Sequence, residues 1–154
     1  MEIERKFLVK NDDWKSQIQT SENIIQFYLS DLTQTPTVRL RQLGDRGFLT
    51  LKYPSISADI LIREEYEYEI PVQDVLAQRA AAKGRIITKT RYYIPTEEGH
   101  IWEVDVFDSP DKNLVLAEIE LEAPDIKIIC PGWIGQEVTK DKAYSNIRMA
   151  FSEL

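Results

Sequence analysis

The chain has 154 residues, 43% hydrophobic and 29% charged. That is room for one domain with a buried core, and it excludes a disordered tail or a helical membrane protein. Acidic residues outnumber basic ones 26 to 19, a formal net charge of −7, which excludes a uniformly basic surface for duplex nucleic acid.

Period-two alternation of apolar and polar residues dominates and predicts strands. The first covers 2–9. A polar segment, Asn11 to Lys15, follows, in which Asp12 or Asp13 is placed to cap a helical turn. A second strand covers 22–30. Residues 37–43 and 47–53 read as a hairpin joined by Gly44-Asp45-Arg46-Gly47, whose glycines suit the positive φ angles of tight turns. A long fifth strand, 60–70, stops at Pro71. Val72, Val75, Leu76 and Arg79 then switch to helical spacing, Ala80 to Ala82 favour helix, and Gly84 suits the position after a C-cap. Strands resume at 85–94 and 100–107 across the turn-like Pro95 to Gly99, and an eighth covers 114–122. After a loop at Cys130-Pro131-Gly132-Trp133, Asp141 to Phe151 reads as a C-terminal helix. With no linker, repeat or low-complexity tract, residues 1–154 are expected to form a single domain. The fold class expected is mainly β (α+β): eight antiparallel strands, enough to close a barrel, with a few peripheral helices.

No apolar stretch of signal-peptide length follows Glu2, Glu4, Arg5 and Lys6, and no apolar run could cross a bilayer. A cytoplasmic protein without membrane attachment is expected. The single cysteine, Cys130, excludes an intrachain disulfide and a multi-thiolate zinc site, and the single histidine, His100, excludes a His-rich metal cluster. Cys130 reads as a small buried hydrophobe, and His100 as a solvated residue at a hairpin tip.

The residues that alternate with the apolar ones carry the chemistry. Glu2, Glu4 and Lys6 share one face of the first strand. The same i, i+2 spacing pairs Arg39 with Arg41, Glu67 with Glu69, Lys89 with Arg91, Glu103 with Asp105 and Glu118 with Glu120, and Lys52 alternates with Leu51 and Tyr53. A solvated sheet face is the ordinary explanation of such charge. Two features argue against it: the charges come as same-sign pairs, and the opposite faces are too aromatic and branched for a few helices to cover on a flat sheet. Closing the sheet with the charges inside answers both. The bore would then hold six cations (Lys6, Arg39, Arg41, Lys52, Lys89, Arg91) and eight carboxylates (Glu2, Glu4, Glu67, Glu69, Glu103, Asp105, Glu118, Glu120), a surplus of two negative charges. Buried charge of this density must be paired or coordinated. All-oxygen ligands favour Mg²⁺ or Mn²⁺, and the arginine forks suit phosphate oxygens. Glu64, Glu65, Glu97 and Glu98 read as ordinary solvated charge. No Gly-rich phosphate loop or dinucleotide fingerprint is present, so phosphate would have to be held by side chains.

Glu2-Ile3-Glu4-Arg5-Lys6-Phe7-Leu8 carries an E-x-E-x-K pattern. Gln26 with Tyr28, Arg39-x-Arg41, Lys52, Glu67-x-Glu69, Lys89-x-Arg91, Glu103-x-Asp105, Glu118-x-Glu120 and Asp141-Lys142-x-Tyr144-Ser145-Asn146 follow in order. This series resembles the CYTH superfamily, the triphosphate tunnel metalloenzymes, from end to end. The resemblance implies an eight-stranded tunnel and metal-dependent hydrolysis of triphosphates, inorganic tripolyphosphate to pyrophosphate and phosphate above all. It implies Glu2, Glu4 and Glu120 as ligands of a first metal, Mg²⁺ or Mn²⁺, with Glu118 and Asp105 next for a second. Lys6, Arg39, Arg41, Lys52, Lys89 and Arg91 would hold the small-molecule triphosphate. Lys89 would lie nearest the reacting water or leaving group, Tyr28 would gate or orient the ligand, and Glu67, Glu69 and Glu103 would support the tunnel. A class IV-type adenylate cyclase, a thiamine triphosphatase and a non-catalytic binder of polyphosphate or nucleotides are the alternatives. A monomer or homodimer is expected.

Overall fold

The alternation forms strands, as a computed structural model of the chain describes for residues 1–57 and 61–152. Among these residues there are ten: β1 (Glu2–Val9), β2 (Thr20–Tyr28), β3 (Thr37–Leu43), β4 (Arg46–Lys52), β5 (Leu61–Arg63), β6 (Glu65–Ile70), β7 (Lys83–Pro95), β8 (Ile101–Ser109), β9 (Val115–Glu120) and β10 (Ile134–Glu137). All pair antiparallel, in the order β10-β1-β9-β8-β7-β2-β3-β4-β6. The expected strand 60–70 is two strands, because the chain breaks at Glu64 between β5 and β6; its residue 60 lies outside the described residues. The break closes the barrel. β6 pairs with β4, and β5 pairs with β1, so one bent segment joins the two ends of the sheet. The tenth strand, β10, lies beside β1 where the β1 register shifts between Phe7 and Val9. Pro131 and Gly132 just before it hide its short alternation in the sequence.

The barrel is apolar outside, and inside it is charged along most of the bore and apolar at one end, where Ile87, Phe107 and Leu116 face inward. Phe7, Trp102, Val104, Ile119 and Trp133 are buried on its outer surface. Trp102 packs edge-on between Phe7 and Trp133, with ring centroids 5.5 and 5.8 Å apart. Two covers keep this surface dry, and a third element closes one end of the bore. A 3₁₀-helical turn at Asp13–Gln17 seats Trp14 against Tyr92. Helix α1 (Val72–Ala77) places Val75 on Phe27 and Leu40. Helix α2 (Asn146–Phe151) packs Met149 and Ala150 with Tyr28, Ile87 and Phe107, which face into the barrel at one end of the bore, Ile87 being opposed to Gln26 and Phe107 to Lys89.

Three local expectations are corrected. Neither Asp12 nor Asp13 caps the first turn through its side chain; the Asn11 side chain accepts the Asp13 N–H at 2.9 Å instead. The helix after Pro71 ends at Ala77 and is followed by a separate 3₁₀-helical turn, Arg79–Ala81. Gly84 is therefore not a C-cap residue but the second residue of β7, at φ +72°. The expected C-terminal helix splits into a 3₁₀-helical turn, Lys142–Tyr144, and α2, because Ser145 turns extended and accepts the Arg148 N–H at 3.3 Å as an N-cap. No helix among the described residues is long and apolar enough to cross a membrane.

Gly84 couples α2 to the barrel. A Cβ at this position would lie 2.6 Å from the Ala150 carbonyl oxygen, in a backbone conformation that L-residues rarely adopt. Gly84→Ala is expected to destabilise the fold by about 1–3 kcal/mol in urea denaturation. Gly132→Ala, where nothing lies within 4 Å of the added carbon, should leave the midpoint unchanged.

Candidate active site

Register brings the charged side chains to one enclosed space. Directly opposed residues point to the same side of a sheet, and the opposed pairs here are Glu4 with Glu120, Lys6 with Glu118, Glu103 with Glu118, and Arg91 with Asp105. Around the other half of the barrel they are Gln26 with Arg41, Tyr28 with Arg39, Lys52 with Glu65, and Glu2 with Arg63. The result is a cavity of about 430 Å³ walled by these strands and closed on one side by Ser145, Asn146 and Ile147.

One wall is acidic. Glu2, Glu4, Glu118 and Glu120 come from β1 and β9, adjacent in the sheet. Burial raises the carboxyl groups of Glu2 and Glu4 above the ordinary range, and burial likewise raises Glu120, with repulsion from Glu2 and Glu4 adding to it. Cations from the chain offset part of this. Lys52 Nζ lies 3.2 Å from Glu2, and the Arg63 guanidinium lies 3.7 Å from Glu2 and 3.5 Å from Glu4. Glu2 Oε1 still has no hydrogen-bond partner although it is buried. Glu118 behaves differently: burial would raise it, but Lys6, with Nζ at 3.7 Å, helps to draw it down to about 2.

The opposite wall is basic. Arg39 lies 3.9 and 4.0 Å from Glu65 and Glu67, too far for strong pairs, and its Nε has no partner. Arg41 makes no ion pair among the described residues; its Nε and Nη2 both donate to Gln26 Oε1, at 3.1 and 3.0 Å. Burial, together with repulsion from Arg39 and Arg91, pulls the Arg41 guanidinium down to about 9.

Beneath the cavity lies a tightly paired floor. Asp105 receives two bonds from Arg91, at 2.8 and 2.9 Å, and faces Lys89 Nζ at 2.7 Å. Lys89 also donates to Asn146 Oδ1 at 3.0 Å, which ties the floor to the start of α2. Burial would raise Asp105, but Arg91 and Lys89 outweigh it and hold the carboxyl well below the ordinary range. Arg91 is shared with Glu103 at 2.6 Å. Burial nevertheless pushes Glu103 up to about 7, aided by the neighbouring Glu118 and Asp105.

Most of the expected site residues meet here: Glu2, Glu4, Lys6, Tyr28, Arg39, Arg41, Lys52, Glu67, Arg91, Glu103, Glu118 and Glu120 line the cavity. Lys89 and Asp105 do not reach it, their side chains being 0% and 1% exposed. Glu69 is corrected outright. It is half exposed and gripped by Arg46 at 2.8 and 3.1 Å, beyond the end of the bore. Glu65, expected to be solvated, lines the cavity instead, and so does Arg63, which was not anticipated. Both share the odd-numbered parity of Glu67, so their spacing already contained the signal. With these changes the bore and floor hold seven cations and eight carboxylates among the described residues, a surplus of one negative charge rather than two. Cys130 is exposed rather than buried, and His100 is largely enclosed, with Nε2 3.5 Å from Glu122.

Glu2, Glu4 and Glu120 fit a divalent cation by chemistry: oxygen donors, mutual repulsion and one orphaned oxygen. As the side chains stand, no three His, Cys, Asp or Glu groups among the described residues converge closely enough to hold a metal ion. Arg63 and Lys52 occupy the gap.

The chain is similar to known proteins along nearly its whole length. The CYTH domain family matches residues 1–149. An inorganic triphosphatase of Nitrosomonas europaea is 39% identical over 153 residues, covering 98% of this chain and 97% of that protein. One of Acetivibrio thermocellus is 39% identical over 149 residues, covering 94% and 90%. A crystal structure of an inorganic triphosphatase superposes with a TM-score of 0.73 at 36% identity, covering 99% of this chain and 96% of the other.

The floor generates a stability test. Asp105→Ala leaves Lys89 and Arg91 buried without their shared counter-charge and is expected to cost about 3–5 kcal/mol in chemical denaturation. Adding Lys89→Met to Asp105→Ala should recover part of that loss, which a double-mutant cycle measures.

Proposed function

The chain belongs to the CYTH family, and we propose that it is a divalent-metal-dependent triphosphatase cleaving inorganic tripolyphosphate to pyrophosphate and phosphate. One observation carries this reading. The bore is internally charge-matched except at two places: the three carboxylates of Glu2, Glu4 and Glu120 share only Lys52 and Arg63, with Glu120 in no ion pair among the described residues, and Arg41 opposite them lacks an anion. A metal–triphosphate complex supplies both at once. Tyr28 is the only aromatic residue among the described residues that line the cavity, which favours a bare phosphate chain over a nucleoside or thiamine substituent.

Glu2, Glu4 and Glu120 would hold the metal, Mg²⁺ or Mn²⁺. When bound, it neutralises phosphate oxygens and stabilises charge in the transition state. The rest is done by the chain. Arg39, Arg41 and Lys52 take the phosphate oxygens from the side facing the acidic wall, and Lys6 and Arg91 from below. Phosphoryl transfer requires mainly positioning and charge stabilisation, and side chains on paired strands are held firmly enough to provide both. A carboxylate of the acidic wall orients the attacking water in line with the bond to be broken. The expected catalytic role of Lys89 is revised: buried beneath Asp105, it acts as a positioning residue that holds the floor and Arg91 in place. Tyr28 spans the inward apolar cluster beside α2 and the cavity wall and orients the ligand.

Tripolyphosphate, ATP, thiamine triphosphate and longer polyphosphate, assayed side by side with Mg²⁺ and with Mn²⁺, test the reading. Tripolyphosphate is expected to turn over fastest, and EDTA to abolish turnover. Formation of cyclic AMP from ATP as the main reaction would replace hydrolase by cyclase. Arg41→Ala should lower kcat/KM by about 10²–10³, whereas Glu69→Gln, outside the bore, should leave it unchanged.

A further inference from the structure

Arg41 and Arg39 are two residues apart on the same face of β3, yet only Arg39 comes near carboxylates. Arg41 is kept apart by one neighbour. Gln26, opposed to it across β2 and β3, is fully buried, and its Oε1 receives both the Nε and the Nη2 of the guanidinium. The amide does for Arg41 what a carboxylate does for Arg91, fixing the fork through two N–H donors. It differs in carrying no charge. Arg91 is held and neutralised; Arg41 is held and left positive.

A second observation points the same way. The Gln26 side-chain nitrogen is buried without a hydrogen-bond partner. An unpaired buried amide donor carries a desolvation penalty unless something accepts from it. Arg41, half-buried on the cavity wall, is likewise a cation without an ion-pair partner among the described residues. Of the two, Arg41 lines the cavity, where an anion would satisfy it, and Gln26, 0% exposed, lies behind it and holds the guanidinium.

We propose that Gln26 is a positioning residue that fixes the Arg41 fork while leaving its charge uncancelled, so that this point of the basic wall is reserved for an anionic phosphate oxygen. The inference rests on the triphosphate reading of the bore and adds a determinant of its affinity. A carboxylate at position 26 would keep the fork in place and cancel the charge. A purely apolar side chain would keep the charge and release the fork. Both changes weaken anion binding, by different routes.

The test uses the full chain and two near-isosteric variants, Gln26→Glu and Gln26→Met, with inorganic pyrophosphate in excess Mg²⁺ as the binding probe and tripolyphosphate as substrate. Gln26→Glu is expected to raise the pyrophosphate dissociation constant and the tripolyphosphate KM by roughly tenfold or more, the scale of losing one charged hydrogen-bond partner, with a smaller change in kcat. Its thermal midpoint without ligand should equal or exceed that of the parent, because Arg41 gains a buried partner. A residue that only fills space and holds hydrogen bonds would tolerate Glu, so parent-like pyrophosphate binding by Gln26→Glu overturns the proposal. If Gln26→Glu does not fold, Gln26→Met decides: weaker pyrophosphate binding supports the proposal, and parent-like binding overturns it. Failure of the parent chain to hydrolyse tripolyphosphate would sink the triphosphatase reading and leave the pyrophosphate comparison intact.

Discussion

Everything in this molecule depends on enclosing about fifteen ionic side chains in one narrow bore without letting them repel the barrel apart. Buried charge is tolerated when it is paired and hydrogen-bonded, and the strand registers deliver that pairing. Asp105 lies opposite Arg91, Lys6 opposite Glu118, and Glu2 opposite Arg63. A slip of one residue in any of these registers would turn the charges outward and the aromatic residues inward. The ion pairs and the outer hydrophobic surface therefore specify the same register from opposite sides of the sheet.

The outer covers matter to the site for this reason. The charged part of the bore cannot serve as an apolar core, so the turn at Trp14 and helix α1 must keep the outer face dry, while helix α2 packs on the inward-facing Ile87, Phe107 and Leu116 at one end of the bore. The last of these does two jobs. Met149 and Ala150 close the apolar end of the bore, while Asn146, at the first turn of the same helix, accepts a hydrogen bond from Lys89 in the floor and lines the cavity.

How much of this was legible in the sequence follows from the same geometry. Parity along a strand is a local property, so the inward set could be read strand by strand, and twelve of the expected residues do line the cavity. Where a strand ends inside the barrel is not local. Glu69 shares the parity of Glu67 but lies past the rim, where Arg46 takes it. The break at Glu64 is similarly invisible, because its cause is that β4 and β1 both need a partner from one short segment. Depth was hidden too. Lys89 and Arg91 look equivalent in the sequence, but the first lies beneath the floor and the second at its surface. Strand β10 escaped notice because its four residues pair only with an irregular stretch of β1.

Pairing most of the bore internally has a further consequence for affinity. A phosphate chain entering a cavity of wholly unpaired cations would find them mobile and solvated, and ordering them would consume much of the binding energy. Here nearly every cation is already held: Arg91 by Asp105 and Glu103, Lys52 by Glu2, and Arg41 by Gln26. The carboxylates that hold them also reduce the net positive field, so rigidity is obtained at the expense of attraction. Gln26 escapes that compromise because it holds a cation with a neutral group. On the other wall, Arg63 and Lys52 stand between carboxylates that repel one another, and any stronger cation must displace them. The bore is thus stable enough to fold but leaves Arg41 without a counter-ion and three wall carboxylates sharing Lys52 and Arg63, which is the condition for binding an anion and a cation together more tightly than either alone.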